Sequence, residues 1–327
     1  MKFVVEKSLF PQNIIAIIWD FDRTLSPHYM QKPLFAAYDV DEAKFWREVN
    51  QLPAYYKKAG IHVQSDTCYL GHLLSYVKHG RFPDLTNARL RELGAQIAFF
   101  PGVPECLDQL KAIVQAKEFK EADLHLEHYV VSTGLAEMIR GSAIAGKLDG
   151  VWASEFIEEP APPDADFTQE PGQGPISQIA GFLDNTTKTR ALFEINKGVN
   201  RVASISVNDA FPEEDRRVPF RHMIYVADGP SDIPSFSVVS KHGGMTYAVY
   251  DPESESQFAQ VVALDEQGRV QAFGPADYRP GSQTMMWLTM KVKGLARQIM
   301  EDRRAMLSKR VGRGPSHVDD QPQREDG

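Results

Sequence analysis

Cysteine is scarce in this chain: two residues, Cys68 and Cys106, among 327. They lie far apart and share no CxxC or Cys/His metal spacing. That argues against a disulfide framework and against a structural zinc site. An excess of positive charge is also missing, since 44 acidic and 36 basic residues leave a formal net charge of -8. A nucleic-acid partner usually demands a basic face, so the balance argues against one. It leaves room for an anionic small molecule, which a few local cations can hold. No run reaches the roughly 18 uncharged apolar residues that a membrane span needs. The N-terminal stretch MKFVVEKSLFPQNIIAIIWDFD lacks a secretory layout, because its apolar run is short, has no small-residue cleavage pattern and ends in Asp20 and Asp22. No internal repeat is visible. The expectation is a soluble, cytoplasmic protein without membrane or nucleic-acid partners.

What is present is an ordinary globular balance, with 43% hydrophobic and 24% charged residues, enough for a sizeable core. Asn13–Trp19 is a nearly continuous Ile-rich run, as expected of a strand buried on both faces of a parallel sheet. His128–Val131, His222–Ala227 and Met245–Tyr250 read the same way, and Gly150–Ala153 is a further short candidate. Helix-like stretches lie between them, at Val103–Ala116, Leu135–Ile144, Lys188–Asn196 and Asp232–Ser240. Strands alternating with helices predict an α/β fold, a Rossmann-like doubly wound and mainly parallel sheet. The interval 26–98 breaks this pattern. It is rich in aromatic and basic residues and reads as several helices, hence as a cap inserted after the first strand. The expected core is 1–25 with 99–307, and Thr284–Leu307 reads as a strong terminal helix. The Pro-, Glu- and Gly-rich segment Ile157–Gln178 reads as a hairpin tip, and 308–327 as a disordered tail.

Each buried run ends in small or acidic polar residues, and ligands of open α/β sheets sit beyond the carboxyl ends of the strands. Asp20 and Asp22 follow the first run. Paired carboxylates there can bind a divalent cation, or one can attack while the other moves a proton. Ser132, Thr133 and Gly134 follow the second run, where a hydroxyl before a helix start suits phosphate oxygens. Lys188 opens a helix, a position the helix dipole does not favour for a cation. Lys197 is an alternative, but it reads as the basic last turn before Gly198. Asp228 and Asp232 flank a Gly-Pro turn after HMIYVA, a good place for a hard cation such as Mg²⁺. Taken singly, each has an ordinary structural reading: a strand-end turn, a helix cap or a surface lysine.

Together, IIWDFDRTL, YVVSTG, Lys188 in TTKTR and IYVADGPSD resemble the signature of the haloacid dehalogenase-like hydrolases. The resemblance covers roughly residues 10–25 and 99–250. It departs from the family's pattern at Arg23 and Ala227, where small residues or glycine are usual, and Arg23 adds a cation near the site mouth. The resemblance implies a Mg²⁺-dependent phosphohydrolase acting on a small phosphorylated metabolite through an aspartyl-phosphate. Asp20 would be the nucleophile and Asp22 the acid/base. Ser132, Thr133, Gly134 and Lys188 would hold the phosphoryl group, with Ser132 and Lys188 also counted as catalytic. The metal would be held by Asp20, by Asp22 through its backbone carbonyl, and by Asp228, with Asp232 as ligand or support. Aspartate at position 22 implies a phosphatase or phosphotransferase rather than a dehalogenase. The insertion resembles the cap of phosphoserine phosphatase-like members. A phosphotransferase, or an inactive binding or regulatory protein of the same fold, are the alternatives.

Overall fold

The computed structural model describes residues 11–311. Its sheet has seven strands in the order β4-β3-β2-β1-β5-β6-β7. These are β1 (Ile14–Trp19), β2 (His125–Leu135), β3 (Gly150–Ile157), β4 (Gln178–Gly181), β5 (Met223–Ala227), β6 (Met245–Tyr250) and β7 (Ala272–Pro275). All neighbours are parallel except β3 and β4, which form an antiparallel hairpin. The segment expected to be a hairpin tip is therefore one.

β1 sits at the centre, in register with β2 (Trp19 beside Val130) and β5 (Trp19 beside Val226). All six of its residues are buried. Strand side chains alternate between faces, so one run supplies two cores. Ile15, Ile17 and Trp19 join the core under α5 (Val103–Val114) and α10 (Gln283–Val311), whereas Ile14, Ala16 and Ile18 join the core under α7 (Lys188–Lys197), α8 (Ile233–Lys241) and α9 (Glu255–Glu266). This is the doubly wound layout that the alternation predicts. Helix α10 continues to Val311, past Leu307, and the rest of the expected tail lies outside the described residues. Among the described residues, no helix is long and apolar enough to cross a membrane.

Four helices fill the interval between β1 and α5: α1 (Lys32–Ala37), α2 (Glu42–Lys57), α3 (Cys68–Lys78) and α4 (Asn87–Gly94). Phe35, Phe45, Leu70, Leu73 and Phe82 pack them against one another, continuous with the core of the sheet's first face. Helix α2 runs through Pro53 rather than ending before it. Proline cannot donate to the carbonyl four residues back, here that of Val49. The Cys68 thiol lies 3.8 Å from that oxygen and 3.5 Å from the Ser65 carbonyl, so its one proton is shared between the two.

The junction of β2 with α6 (Ala136–Gly141) also differs from expectation. The chain stays extended to Leu135, which pairs with Ser154 across a register shift. The Gly134 N–H donates to Ser132 Oγ at 3.0 Å, so the turn is satisfied locally. The helix is correspondingly shorter than Leu135–Ile144.

Candidate active site

The site is built where β1 and β5 end. The Asp20 N–H donates to the Val226 carbonyl at 2.9 Å, so its side chain leaves the sheet at the carboxyl edge. The next residues form a tight turn in which the N–H groups of Thr24, Leu25 and Ser26 converge on the Phe21 carbonyl. Tyr278 donates its hydroxyl to the Thr24 carbonyl at 2.7 Å and props the turn from behind.

Lys188 opens α7, and its side chain is almost fully buried (1% exposed). Its ammonium donates to Asp20 Oδ1 at 2.7 Å and to Asp232 Oδ1 at 2.8 Å. Burial opposes the charge on Lys188, but the two carboxylates outweigh it and hold its pKa well above that of an ordinary lysine. Lys197 points elsewhere, donating to the carbonyls of Val207 and Asp209.

Asp232 occupies the cap position of α8 without making a cap bond. Its Oδ1 accepts from Lys188 and from the Tyr225 hydroxyl at 2.6 Å, and its Oδ2 accepts from Ser231 at 2.8 Å. Both oxygens are thus engaged. Carboxylate oxygens of Asp20, Asp228 and Asp232 lie within 4.8 Å of one another. Burial, then the charges of Asp20 and Asp232, push the Asp228 carboxyl well above the usual range.

Asp22 is turned aside from this cluster. Its Oδ1 accepts the Met30 N–H at 2.8 Å. Burial first, and then the charge of Asp20, push its pKa up to about 8. Asp20 is pushed up to about 6, mainly by burial, with Lys188 offsetting part of the rise. The pair therefore holds its protons differently, as a division of roles requires.

Ser132 is buried on β2, next to β1. The Thr133 carbonyl accepts from Tyr69 of α3 at 2.7 Å. Gly134 packs so closely on Met30 that an added Cβ would lie 2.2 Å from its terminal carbon. The structure thus joins Asp20, Lys188, Asp228 and Asp232 in one cluster, sets Asp22 beside it, and places Ser132, Thr133 and Gly134 on the adjacent strand. Tyr225, Tyr69 and the Met30 N–H were not singled out in the sequence. Tyr225 lies inside an apolar strand run, where its hydroxyl leaves no pattern.

The donor set fits a hard divalent cation, which prefers carboxylate oxygens. Asp20, Asp228 and Asp232 can supply them, with Asp232 already accepting from Lys188, Tyr225 and Ser231.

No family model matches the sequence. Among solved structures, the chain is similar to a probable phosphoserine phosphatase from Vibrio cholerae, at 13% identity over 90% of this chain and 69% of that one, with a TM-score of 0.47. A HAD family hydrolase from Salmonella enterica serovar Typhi matches at 13% identity over 82% and 69% of the two chains, with a TM-score of 0.46. A phosphoserine phosphatase in the form of a phospho-aspartyl intermediate analogue matches at 17% identity over 80% and 93%, with a TM-score of 0.44. In sequence, an uncharacterized protein of Borreliella burgdorferi is 37% identical over 290 residues, covering 86% of this chain and 97% of that protein. The doubly wound sheet and the placing of the four motifs at its carboxyl edge agree with the haloacid dehalogenase-like core that the sequence resembles, and by its identity over nearly the full length of both proteins the chain belongs to one family with the Borreliella burgdorferi protein.

Proposed function

We propose that this protein is a Mg²⁺-dependent phosphohydrolase that cleaves small phosphomonoesters through an aspartyl-phosphate on Asp20. The observation that carries the reading is the cluster itself: Lys188 bridges Asp20 and Asp232 at 2.7 and 2.8 Å, with Asp228 alongside and Asp22 held apart.

The chemistry follows from that arrangement. Phosphoryl transfer needs positioning and charge neutralisation above all. Asp20 is ionised near neutral pH and its Oδ2 accepts a long 3.3 Å bond from Thr24, so this oxygen is the one offered to phosphorus in line. Asp22, protonated near neutral pH, gives its proton to the leaving oxygen and then takes one from the water that hydrolyses the intermediate. Lys188 and Ser132 hold the phosphoryl oxygens. Asp20, Asp228 and the Asp22 carbonyl would hold Mg²⁺, which when bound would neutralise charge on the phosphoryl group. Asp232 keeps Lys188 in place. The helices between Lys32 and Gly94 act as a cap over the site, excluding water and selecting substrate.

The test is hydrolysis of p-nitrophenyl phosphate with Mg²⁺ by wild type and by Asp20→Asn. Turnover that disappears in the variant, with unchanged circular dichroism, is expected. A folded wild-type protein that turns over nothing across metals and pH would instead make it a binding module. Wild-type rates in Asp20→Asn would displace the nucleophile.

A further inference from the structure

Arg23 is where the chain leaves the pattern it resembles, and the structure gives that departure a geometry. The turn that follows Asp20 holds Arg23 at φ 60°, a strained conformation for any residue with a side chain. Strain kept in a site wall is a pointer to function. The guanidinium carbon lies 4.7 Å over the ring of Tyr29. Among the described residues, no carboxylate pairs with this guanidinium and no carbonyl accepts from it.

Its position within the site is defined from two sides. Tyr29, which it covers, is 37% exposed, and the next residue, Met30, donates its N–H to Asp22. The groups expected to hold the transferred phosphoryl lie deeper, Lys188 and Ser132 each being 1% exposed. Arg23, whose charge bears on both Asp22 and Asp228, therefore stands on the more open side of the site, next to the expected acid that meets the leaving oxygen. A guanidinium presents a fork of donors that matches carboxylate and phosphate oxygens two at a time, and stacking on a ring fixes its plane. An anionic substituent entering a wall that already holds Asp20, Asp22 and Asp228 needs such a local cation.

We propose that Arg23 is a specificity-determining residue that binds a second anionic group, a carboxylate or a further phosphate, on the leaving group of the phosphomonoester. This rests on the phosphohydrolase reading above. Its preferred substrates are phosphomonoesters bearing two anionic groups rather than esters of neutral alcohols.

The experiment compares kcat/KM for phosphoglycolate, fructose 1,6-bisphosphate and p-nitrophenyl phosphate in wild type, Arg23→Gln and Arg23→Lys. Arg23→Gln should lower the value for at least one of the two anion-bearing esters about tenfold more than for p-nitrophenyl phosphate. Arg23→Lys, which keeps the charge but loses the fork, should recover only part. The ester with the larger loss identifies the group, carboxylate or phosphate. Equal losses on all three, or no loss, overturn the proposal. If wild type hydrolyses none of the three, the phosphohydrolase reading fails by itself. The contact is then read by calorimetric titration of the same two anion-bearing esters into Asp20→Asn and Asp20→Asn/Arg23→Gln with Mg²⁺. Binding about tenfold weaker in the double variant supports the anion contact. Equal affinity, or no binding to either, overturns it.

Discussion

Asp20 and Asp22 are two residues apart at one strand end, yet only Asp20 has a cation in direct contact to offset its burial. Lys188 touches Asp20 at 2.7 Å, whereas Asp22 accepts the Met30 N–H and feels Lys188 and Arg23 only through their charge. That difference, together with the Asp20 charge that raises Asp22, sets about 6 against about 8. Between those values the nucleophile is ionised and the acid carries its proton. The profile of kcat/KM against pH should therefore fall on its alkaline side near 8, as Asp22 loses its proton. Its acid limb should lie at or below 6, because a bound cation favours ionised Asp20. Asp22→Asn should remove the alkaline limb. It should also cost about 100-fold or more on an alkyl phosphate, the usual scale of general acid catalysis, and less on p-nitrophenyl phosphate, whose leaving group needs little protonation. An alkaline limb that stays near 8 in Asp22→Asn would assign it to another group.

At the scale of elements, α4 and α6 touch backbone to backbone. A Cβ at Gly94 would lie 2.2 Å from the Met138 carbonyl oxygen, and one at Gly141 1.8 Å from that of Arg91. The last helix of the insertion is thereby locked to the helix that follows Ser132, Thr133 and Gly134. Gly141→Ala should cost about 1–3 kcal/mol in urea unfolding, the scale of overpacking. Gly146→Ala, where the added carbon meets nothing within 4 Å, should change little. Equal stability of the two variants would show that α4 can shift freely against the core. No such contact is legible in the sequence, where both glycines read as weak helix residues. What was legible is what burial on both faces imposes: β1, β5 and β6 are apolar runs, and their ends carry the aspartates. β7 was not, because its four residues include Gly274 and Pro275, which suit only an edge. β4 is another short edge strand, with a partly exposed sequence. Lys188 was legible as an oddly placed cation. Tyr225 and Tyr69 were not, because their hydroxyls find partners that the local sequence does not announce.

Across the whole molecule, folding brings Asp228 beside Asp20 and Asp22 and raises the pKa of each, so their ionisation opposes the folded state. From about pH 4 upward the unfolded chain releases these protons first, the folded protein binds more, and stability falls with pH. His128 and His222 act in the opposite sense. Burial lowers each to about 4, so their contribution rises with pH until their unfolded value near 6.5 is passed. The two effects oppose each other from pH 4 to 6.5. Above 6.5 only the carboxylates still change, Asp22 until about 8. Lys188, raised by its partners, adds stability that is lost only above its own unfolded value near 10.4, outside this window. The metal-free protein should therefore lose thermal stability between pH 6.5 and 8, by up to about 1.4 kcal/mol per pH unit for each titrating group. Mg²⁺ should reverse the loss, adding about 2.7 kcal/mol at a concentration 100 times its Kd, and its effect should be larger at pH 8, where protons no longer compete for the carboxylates. Calorimetric melts in EDTA and in Mg²⁺ at the two pH values measure both effects. A midpoint that rises from pH 6.5 to 8 in EDTA and ignores Mg²⁺ would mean that these carboxylates neither strain the fold nor hold the ion.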